Sequence, residues 1–245
     1  MPAAKQLDHI YVLNVKKFTQ RREFMEQQLT NAGLAAEFIF DWDADELTAE
    51  IVKQYFNKNN DLTMPQKSCA MKHVAALQKI AASGSLFSLV LEDDAVFGKQ
   101  FALGVKRSLE QSTLFPGEKV IYIGSGGNFF TPRSQRKPGQ FLYPGKRGRF
   151  TDSYIIDSAT AQKRLQWVDQ HKMNGPIDNQ FDLMDKQTGV QILWLEPPVI
   201  EQGSKNGLFN SAIETRWSSQ RPCLHGLLFW FEKIKRKYIY QLWWR

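Results

Sequence analysis

Cysteine is nearly missing: Cys69 and Cys223 are the only two in 245 residues, far apart, which leaves no basis for a disulfide framework or a zinc knuckle. A reducing compartment fits that usage. Also missing is any apolar run near the roughly 20 residues that a bilayer-crossing helix needs, and Met1 to Leu7 carries no apolar signal region. The expected location is therefore the cytosol. No internal repeat is visible, which argues against a solenoid or propeller. Acidic residues are in deficit, 25 Asp and Glu against 32 Lys and Arg, for a net charge of +7. Such an excess points to an anionic partner, and nucleic acid, anionic lipid and a phosphorylated small molecule all meet that description.

What is present alternates. Residues 9–15 form a β-rich apolar run, and Thr19 to Ala32 then places Phe24, Gln28 and Leu29 near helical spacing. A second run, Glu37 to Trp42, ends in an acidic turn (Asp41, Asp43, Asp45), and Leu47 to Phe56 is helical in period. Ser68 to Ala82 sets Met71, Val74, Ala75, Leu77 and Ile80 among helix formers; Gly84 stops it, and Leu86 to Leu91 reads as a buried central strand. Beyond it come a helix over 101–112, a strand over 119–123, and a turn whose Gly124, Gly126 and Gly127 would let backbone approach a ligand or simply satisfy loop geometry. Strand 153–157, a helix from Ser158 with that serine as cap, a helix starting near Asp178 after Pro176, and strand 190–195 complete the series. Residues 131–149 break the pattern with six basic residues, no acidic ones, and several Pro and Gly. A mobile loop is expected there, either a lid over a diphosphate or a grip on an anionic acceptor. The class is α/β, a Rossmann-like open mixed sheet flanked by helices over residues 1–220.

The tail, 221–245, spaces Leu227, Phe231, Ile234, Tyr238 and Leu242 by three or four, with Lys233, Lys235, Arg236, Lys237, Trp230, Trp243 and Trp244 around them. A basic amphipathic helix lying on an anionic membrane surface is one expectation; a helix packed on the domain is the other.

The acidic triplet Glu92, Asp93, Asp94 closes the central strand, where ligands of α/β sheets gather. Three adjacent carboxylates repel one another, and a hard cation, Mg²⁺ or Mn²⁺, relieves that repulsion while bridging to diphosphate oxygens. Strand alternation would set Glu92 and Asp94 on one side and Asp93 on the other, so Asp94 is the leading metal ligand, Asp93 the second, and Glu92 either a ribose contact or a partner that orients the residues around the ion. A solvated acidic turn is the plainer alternative.

These segments, in this order, resemble the family 25 glycosyltransferases. HIYVLNVKKFTQRREFMEQQL is similar to the family's first strand with Asn14, Arg21 and Arg22. SCAMKHVAALQKI is similar to its Gly-Cys-x-x-Ser-His segment, keeping Cys69 and His73 but with Lys72 in place of Ser. LVLEDDAVF is the most specific match, and TDSYIID, PIDNQF and PPVIEQGS follow more weakly. The resemblance implies a GT-A type fold and inverting transfer of a hexose, galactose from UDP-galactose first, onto a lipooligosaccharide or lipopolysaccharide core. UDP-glucose and N-acetylhexosamine donors stay open. It also implies donor contacts from Asn14, Arg21, Arg22, His73, Glu92 and Gln202. An inverting displacement needs a general base; Asp178 is the first choice and Asp152 the second, although an Asp at a helix start also serves as a cap. The partners implied are a UDP-sugar, a lipid-linked anionic oligosaccharide and the inner face of a membrane. A nucleic-acid-binding protein, the alternative from another class, is disfavoured because carboxylates in the cleft would repel phosphate.

Overall fold

The computed structural model describes residues 6–209 and 230–239. The chain enters through β1 (His9–Leu13), α1 (Thr19–Asn31), β2 (Glu37–Ile39), α2 (Ala49–Tyr55) and α3 (Met64–Ser83). It continues through β3 (Ser88–Glu92), β4 (Ala95–Phe97), α4 (Phe101–Gln111), β5 (Lys119–Tyr122), β6 (Leu142–Pro144) and β7 (Ser153–Ile156). Then follow α5 (Ser158–His171), α6 (Ile177–Thr188), β8 (Gln191–Leu195), β9 (Ile200–Gln202) and α7 (Gly203–Asn206), and residues 230–239 are again helical. Seven strands form one mixed sheet in the order β2-β1-β3-β7-β5-β8-β6, and β4 pairs with β9 in a separate two-stranded ladder.

Strand periodicity explains the layers. Tyr11, Leu13, Val90, Val120, Tyr122, Tyr154 and Ile156 face one side, where they pack with Met71, Val74, Leu77 and Ile80 of α3, Trp167 of α5 and Phe181 of α6. Their alternates Ile10, Val12, Leu89, Leu91, Ile121 and Ile155 face the other side, against Met25 and Leu29 of α1 and Phe101, Val105 and Leu109 of α4. Burying both faces suits strands that read as continuous apolar runs. The expected α/β class with an open mixed sheet between helices is therefore what the chain adopts.

One reversal sets up everything at the rim. β1, β2 and β3 run parallel, β7 runs antiparallel to both β3 and β5, and β5 is again parallel to β8. Because β7 points the other way, its first residues meet the last residues of β3, with Leu91 opposite Ser153. Asp152 is thereby delivered beside Glu92, whose backbone N–H donates to the Asp152 carbonyl at 2.9 Å.

Several boundaries differ from expectation for local reasons. α3 starts a turn earlier, because Thr63 and Gln66 form a reciprocal capping box ahead of Pro65. Asp157, not Ser158, caps α5, accepting from the Thr160 N–H at 2.7 Å. The central strand ends at Glu92, and residues 93–94 turn at once into β4, so alternation does not extend over the triplet. The basic segment 131–149 holds a sheet strand, β6, which pairs with β8. Its anchor is Glu196, whose buried carboxylate accepts from the Thr131 N–H at 2.7 Å, from Arg136 at 2.6 Å and from the wholly buried Arg149. Charge that looked like solvated loop is partly internal. The glycines of the 124–127 turn serve packing: a Cβ on Gly124 would fall on the Asp152 carboxylate, and one on Gly126 on the Arg149 carbonyl.

Behind the sheet, Arg164 of α5 donates to both oxygens of Asp185 of α6, at 2.9 and 2.7 Å, with both side chains wholly buried. The guanidinium also lies 3.9 Å from the Phe181 ring centre. Asp185→Ala leaves that cation buried without its partner, and an expected cost of about 3–5 kcal/mol follows. Urea unfolding checks it, with the joint change Arg164→Met and Asp185→Leu expected to recover most of the loss; a penalty under about 1 kcal/mol for Asp185→Ala would mean the pair is solvated.

Candidate active site

The three carboxylates of the triplet leave the turn in three directions. Glu92 points toward α3 and the entry to β7: its Oε1 accepts from Thr151 Oγ1 at 2.7 Å and lies 3.3 Å from His73 Nε2. Burial works against ionisation of Glu92, yet the His73 and Thr151 contacts outweigh it and hold the carboxyl below its ordinary range. Asp93 turns to the end of β1, where Asn14 Nδ2 donates at 2.9 Å and Arg21 Nη1 at 2.8 Å, one to each oxygen. Asp94 turns to α7: its carbonyl accepts from the Gly203 N–H at 2.7 Å and its Oδ2 from the Ser204 N–H at 3.2 Å. Gly203 is required there, since a Cβ would stand 2.9 Å from that same carbonyl.

The expectation that Glu92 and Asp94 share a side is thus corrected, because the strand stops between them. Asp93 has both oxygens engaged by protein donors, whereas Asp94 Oδ1 is buried with no hydrogen-bond partner. Three more buried acceptors at this rim are in the same state, Asn14 Oδ1, Asp152 Oδ2 and Gln202 Oε1. Gln202 pairs with Ala95 in the β4–β9 ladder, next to Asp94 in sequence. Asp152 senses the charges of Glu92 and Asp94. Burial, then repulsion from Glu92, pushes the Asp94 carboxyl up to about 6, and burial with the same repulsion lifts Asp152 well above the carboxylate range. Unpartnered, desolvated hard oxygens from two carboxylates and two amides are the donor set that Mg²⁺ or Mn²⁺ takes. The residues fit such an ion.

Beside this rim lies a cavity of about 430 Å³ whose charged lining is mixed: Lys16, Lys17, Arg21 and Lys72 face Asp43, Asp45, Glu46, Glu92 and Asp93, with Phe18, Ser68 and Cys69 between them. Its cations are positioned differently. Lys72, where the family's segment has Ser, is buried and donates to the carbonyls of Phe40 at 3.2 Å and Asp41 at 2.8 Å, and pairs with Asp43 at 2.7 Å. It therefore fastens α3 to the acidic turn rather than leaving the helix unsupported. Arg21 stacks its guanidinium 4.8 Å from the Phe18 ring centre while holding Asp93. Arg22, expected beside it, instead follows the helix to Glu26 at 3.7 Å.

His73 is wholly buried, with Nδ1 3.0 Å from the Tyr154 hydroxyl. Asp178 sits in the first turn of α6 after Pro176 and is partly accessible. Burial raises its carboxyl, and the charges of Glu92 (raising) and His73 (lowering) both reach it. Asn14, Arg21, His73, Glu92, Asp93, Asp94, Asp152, Asp178 and Gln202 thus gather at one end of the sheet, and Arg22 does not. Sequence reading missed Thr151, Tyr154 and Ser204, which orient Glu92, His73 and Asp94; adjacency of Thr151 to Asp152 and of Ser204 to Gln202 was the available signal.

A mixed sheet between helices, with a buried acidic cluster and a cavity of mixed charge at its C-terminal rim, has the layout expected of the GT-A class. Residues 7–180 match the profile of glycosyltransferase family 25, described as LPS biosynthesis proteins, and the chain belongs to that family. A glycosyltransferase 25 family member of Aedes aegypti is 27% identical over 188 residues, covering 73% of this chain and 31% of the relative. A family member of Drosophila pseudoobscura pseudoobscura is 27% identical over 128 residues, covering 48% and 20%. The chain spans a third or less of the length of these relatives. Among solved structures, a Drosophila β-1,4-galactosyltransferase 7 variant in complex with manganese, UDP-Gal and xylobiose superposes with a TM-score of 0.41 at 11% identity, over 88% of this chain and 75% of that one. Mouse xyloside xylosyltransferase 1 gives 0.39 at 13%, over 89% and 93%.

The raised carboxyl of Asp94 has a sign that can be measured. A carboxyl lifted on folding stabilises the fold while protonated, and that contribution is lost as pH rises through its folded value, here about 6. In chelator, the melting temperature of the natural protein should fall relative to Asp94→Asn as pH rises through that region, and Mn²⁺ should close the gap. Parallel curves for the two proteins would show that Asp94 is not held against its charge.

Proposed function

We propose that this chain is an inverting, metal-dependent glycosyltransferase that moves a hexose from a UDP-sugar, galactose first among the candidates, onto a lipid-linked anionic oligosaccharide of the lipopolysaccharide core type. The observation that carries the proposal is the unpartnered, buried Asp94 oxygen, next in the chain to Glu92 and Asp93 of the cavity wall, in a chain of family 25. A cavity of this size accommodates a nucleotide. Phe18 offers a ring to the uracil, and Lys16, Lys17 and Arg21 offer positive charge to the diphosphate. Asp94, with Gln202 and Asp152 behind it, would hold Mn²⁺ or Mg²⁺, which when bound offsets the charge developing on the departing diphosphate.

Inversion is one in-line displacement. The acceptor hydroxyl attacks the anomeric carbon, the bond to the diphosphate oxygen breaks, and the hydroxyl proton passes to a carboxylate. Asp178 is favoured for that proton over Asp152. Asp178 is partly accessible and its raised affinity for protons suits a base, whereas Asp152 is wholly buried under Gly124 and Ser153. Glu92 is better placed to orient His73 and Thr151 than to meet a ribose.

For location, the reading is a peripheral attachment to the cytoplasmic face of a membrane. Residues 221–229 and 240–245 of the tail lie outside the described residues. Within 230–239, which is helical, Trp230, Phe231 and Tyr238 are exposed, Lys233 pairs with Glu201, and Arg236 donates to the Gly127 carbonyl at 2.7 Å. Exposed aromatics beside Lys235 and Lys237 are suited to an anionic lipid surface. Among the described residues no helix is long and apolar enough to cross a membrane.

A panel of UDP-galactose, UDP-glucose and UDP-N-acetylglucosamine with a lipooligosaccharide core acceptor, read by UDP release with and without Mn²⁺, tests the reaction. Asp94→Asn should lose Mn²⁺-dependent donor binding. Asp178→Asn should keep it while turnover drops by about 10²–10⁴-fold; undiminished turnover would remove Asp178 as the base. Replacing Trp230 and Phe231 together by Ser should weaken co-sedimentation with anionic vesicles and leave turnover on a soluble acceptor in place, and unchanged sedimentation would refute the attachment.

A further inference from the structure

Cys69, His73 and Glu92 stand apart from the hard-oxygen set at Asp94. Among the described residues they are the one group of three His, Cys or carboxylate side chains whose ligand atoms all lie within 4.8 Å of one another. Cys69 and His73 are four residues apart on α3, hence on one helical face, and Glu92 ends the strand beneath them. His73 Nε2 and Glu92 Oε1, at 3.3 Å, already have the spacing of two ligands on one small ion, because metal–ligand bonds of about 2.0–2.3 Å set tetrahedral edges near roughly 3.5 Å. Only Cys69 has to swing inward.

The surroundings also have the character of a metal site. The Tyr154 hydroxyl, 3.0 Å from Nδ1, can accept that nitrogen's proton and turn the Nε2 lone pair toward the ion, as partners of metal-bound imidazoles do. Cys69 and Glu92 line the 430 Å³ cavity, which provides a path in and leaves the fourth coordination position facing it. Thiolate, imidazole and one carboxylate are a softer set than the oxygens around Asp94, and they select Zn²⁺ over Mg²⁺ or Mn²⁺.

We propose that Cys69, His73 and Glu92 form a second metal site, specific for a thiophilic divalent ion such as Zn²⁺, whose occupancy closes the wall of the cavity between α3 and the central strand. On binding, the Cys69 thiol gives its proton to solvent and Sγ joins the ion, the His73 proton that faces Glu92 leaves Nε2 so that the imidazole binds with its proton on Nδ1, and Glu92 Oε1 exchanges its contact with His73 for one to the metal. The ion then stands where a nucleotide would enter, so the site is inhibitory. That consequence rests on the donor reading above; the binding itself does not.

Cobalt is the probe. Co²⁺ added to the purified full chain should give a thiolate-to-cobalt charge-transfer band in the near ultraviolet and tetrahedral visible bands, saturating at one equivalent and bleached by Zn²⁺ but not by Mn²⁺. Cys69→Ser should abolish the charge-transfer band and His73→Gln should weaken the visible bands, while Asp94→Asn, which removes the hard-cation site, should leave the spectrum unaltered. Circular dichroism of each variant establishes that it is folded. Absence of a thiolate band in the natural protein, or its survival in folded Cys69→Ser, overturns the proposal. Calorimetry of UDP with Mn²⁺ should then show binding lost once one equivalent of Zn²⁺ is present; a band with undisturbed UDP binding overturns the inhibitory role.

Discussion

Desolvation of negative charge at the end of β3 organises this protein. Glu92, Asp94 and Asp152 are withdrawn from water within one rim of the sheet, and each raises the cost of ionising the others. Neutral donors answer part of that charge: Thr151 for Glu92, the Ser204 N–H for Asp94, Ser153 for Asp152. Arg21 answers Asp93. What is left over, an open oxygen on Asp94 and another on Asp152, is the feature that the proposed cation would answer.

The topology brings these carboxylates together. Had β7 run parallel to its neighbours, Asp152 would lie at the opposite end of the sheet and the rim would carry a single acidic turn. The antiparallel insertion between β3 and β5 brings a second acidic residue to the same place, and Gly124 is the residue that leaves room for it. Fastening follows on both sides: Lys72 ties α3 to the turn after β2, and Arg149 with Arg136 ties the segment before β7 to Glu196. Lys72, Arg136, Arg149 and the Arg164 paired with Asp185 are thus spent on rigidity rather than offered to an anionic partner.

Much of this could be read from residues alone. The apolar runs named the strands, Gly84 and Pro176 marked helix limits, and LVLEDDAVF located the rim. Reading failed where the decisive fact was tertiary. Arg21 and Arg22 are chemically identical neighbours, and only the helix phase decides that one reaches Asp93 and the other Glu26. The basic segment looked mobile because its compensating acid, Glu196, is 47 residues from Arg149. β4 and β9, three residues each, are too short to leave a period, yet their pairing sets Gln202 next to Asp94.

In the proposed function the leftover carboxylate charge seats a cation that in turn seats a nucleoside diphosphate. Calorimetric titration of UDP into the purified protein, first in chelator and then with saturating Mn²⁺, addresses it most directly. Binding should be absent or very weak without the ion and plain with it; equal heats in both conditions, or none in either, would contradict the account.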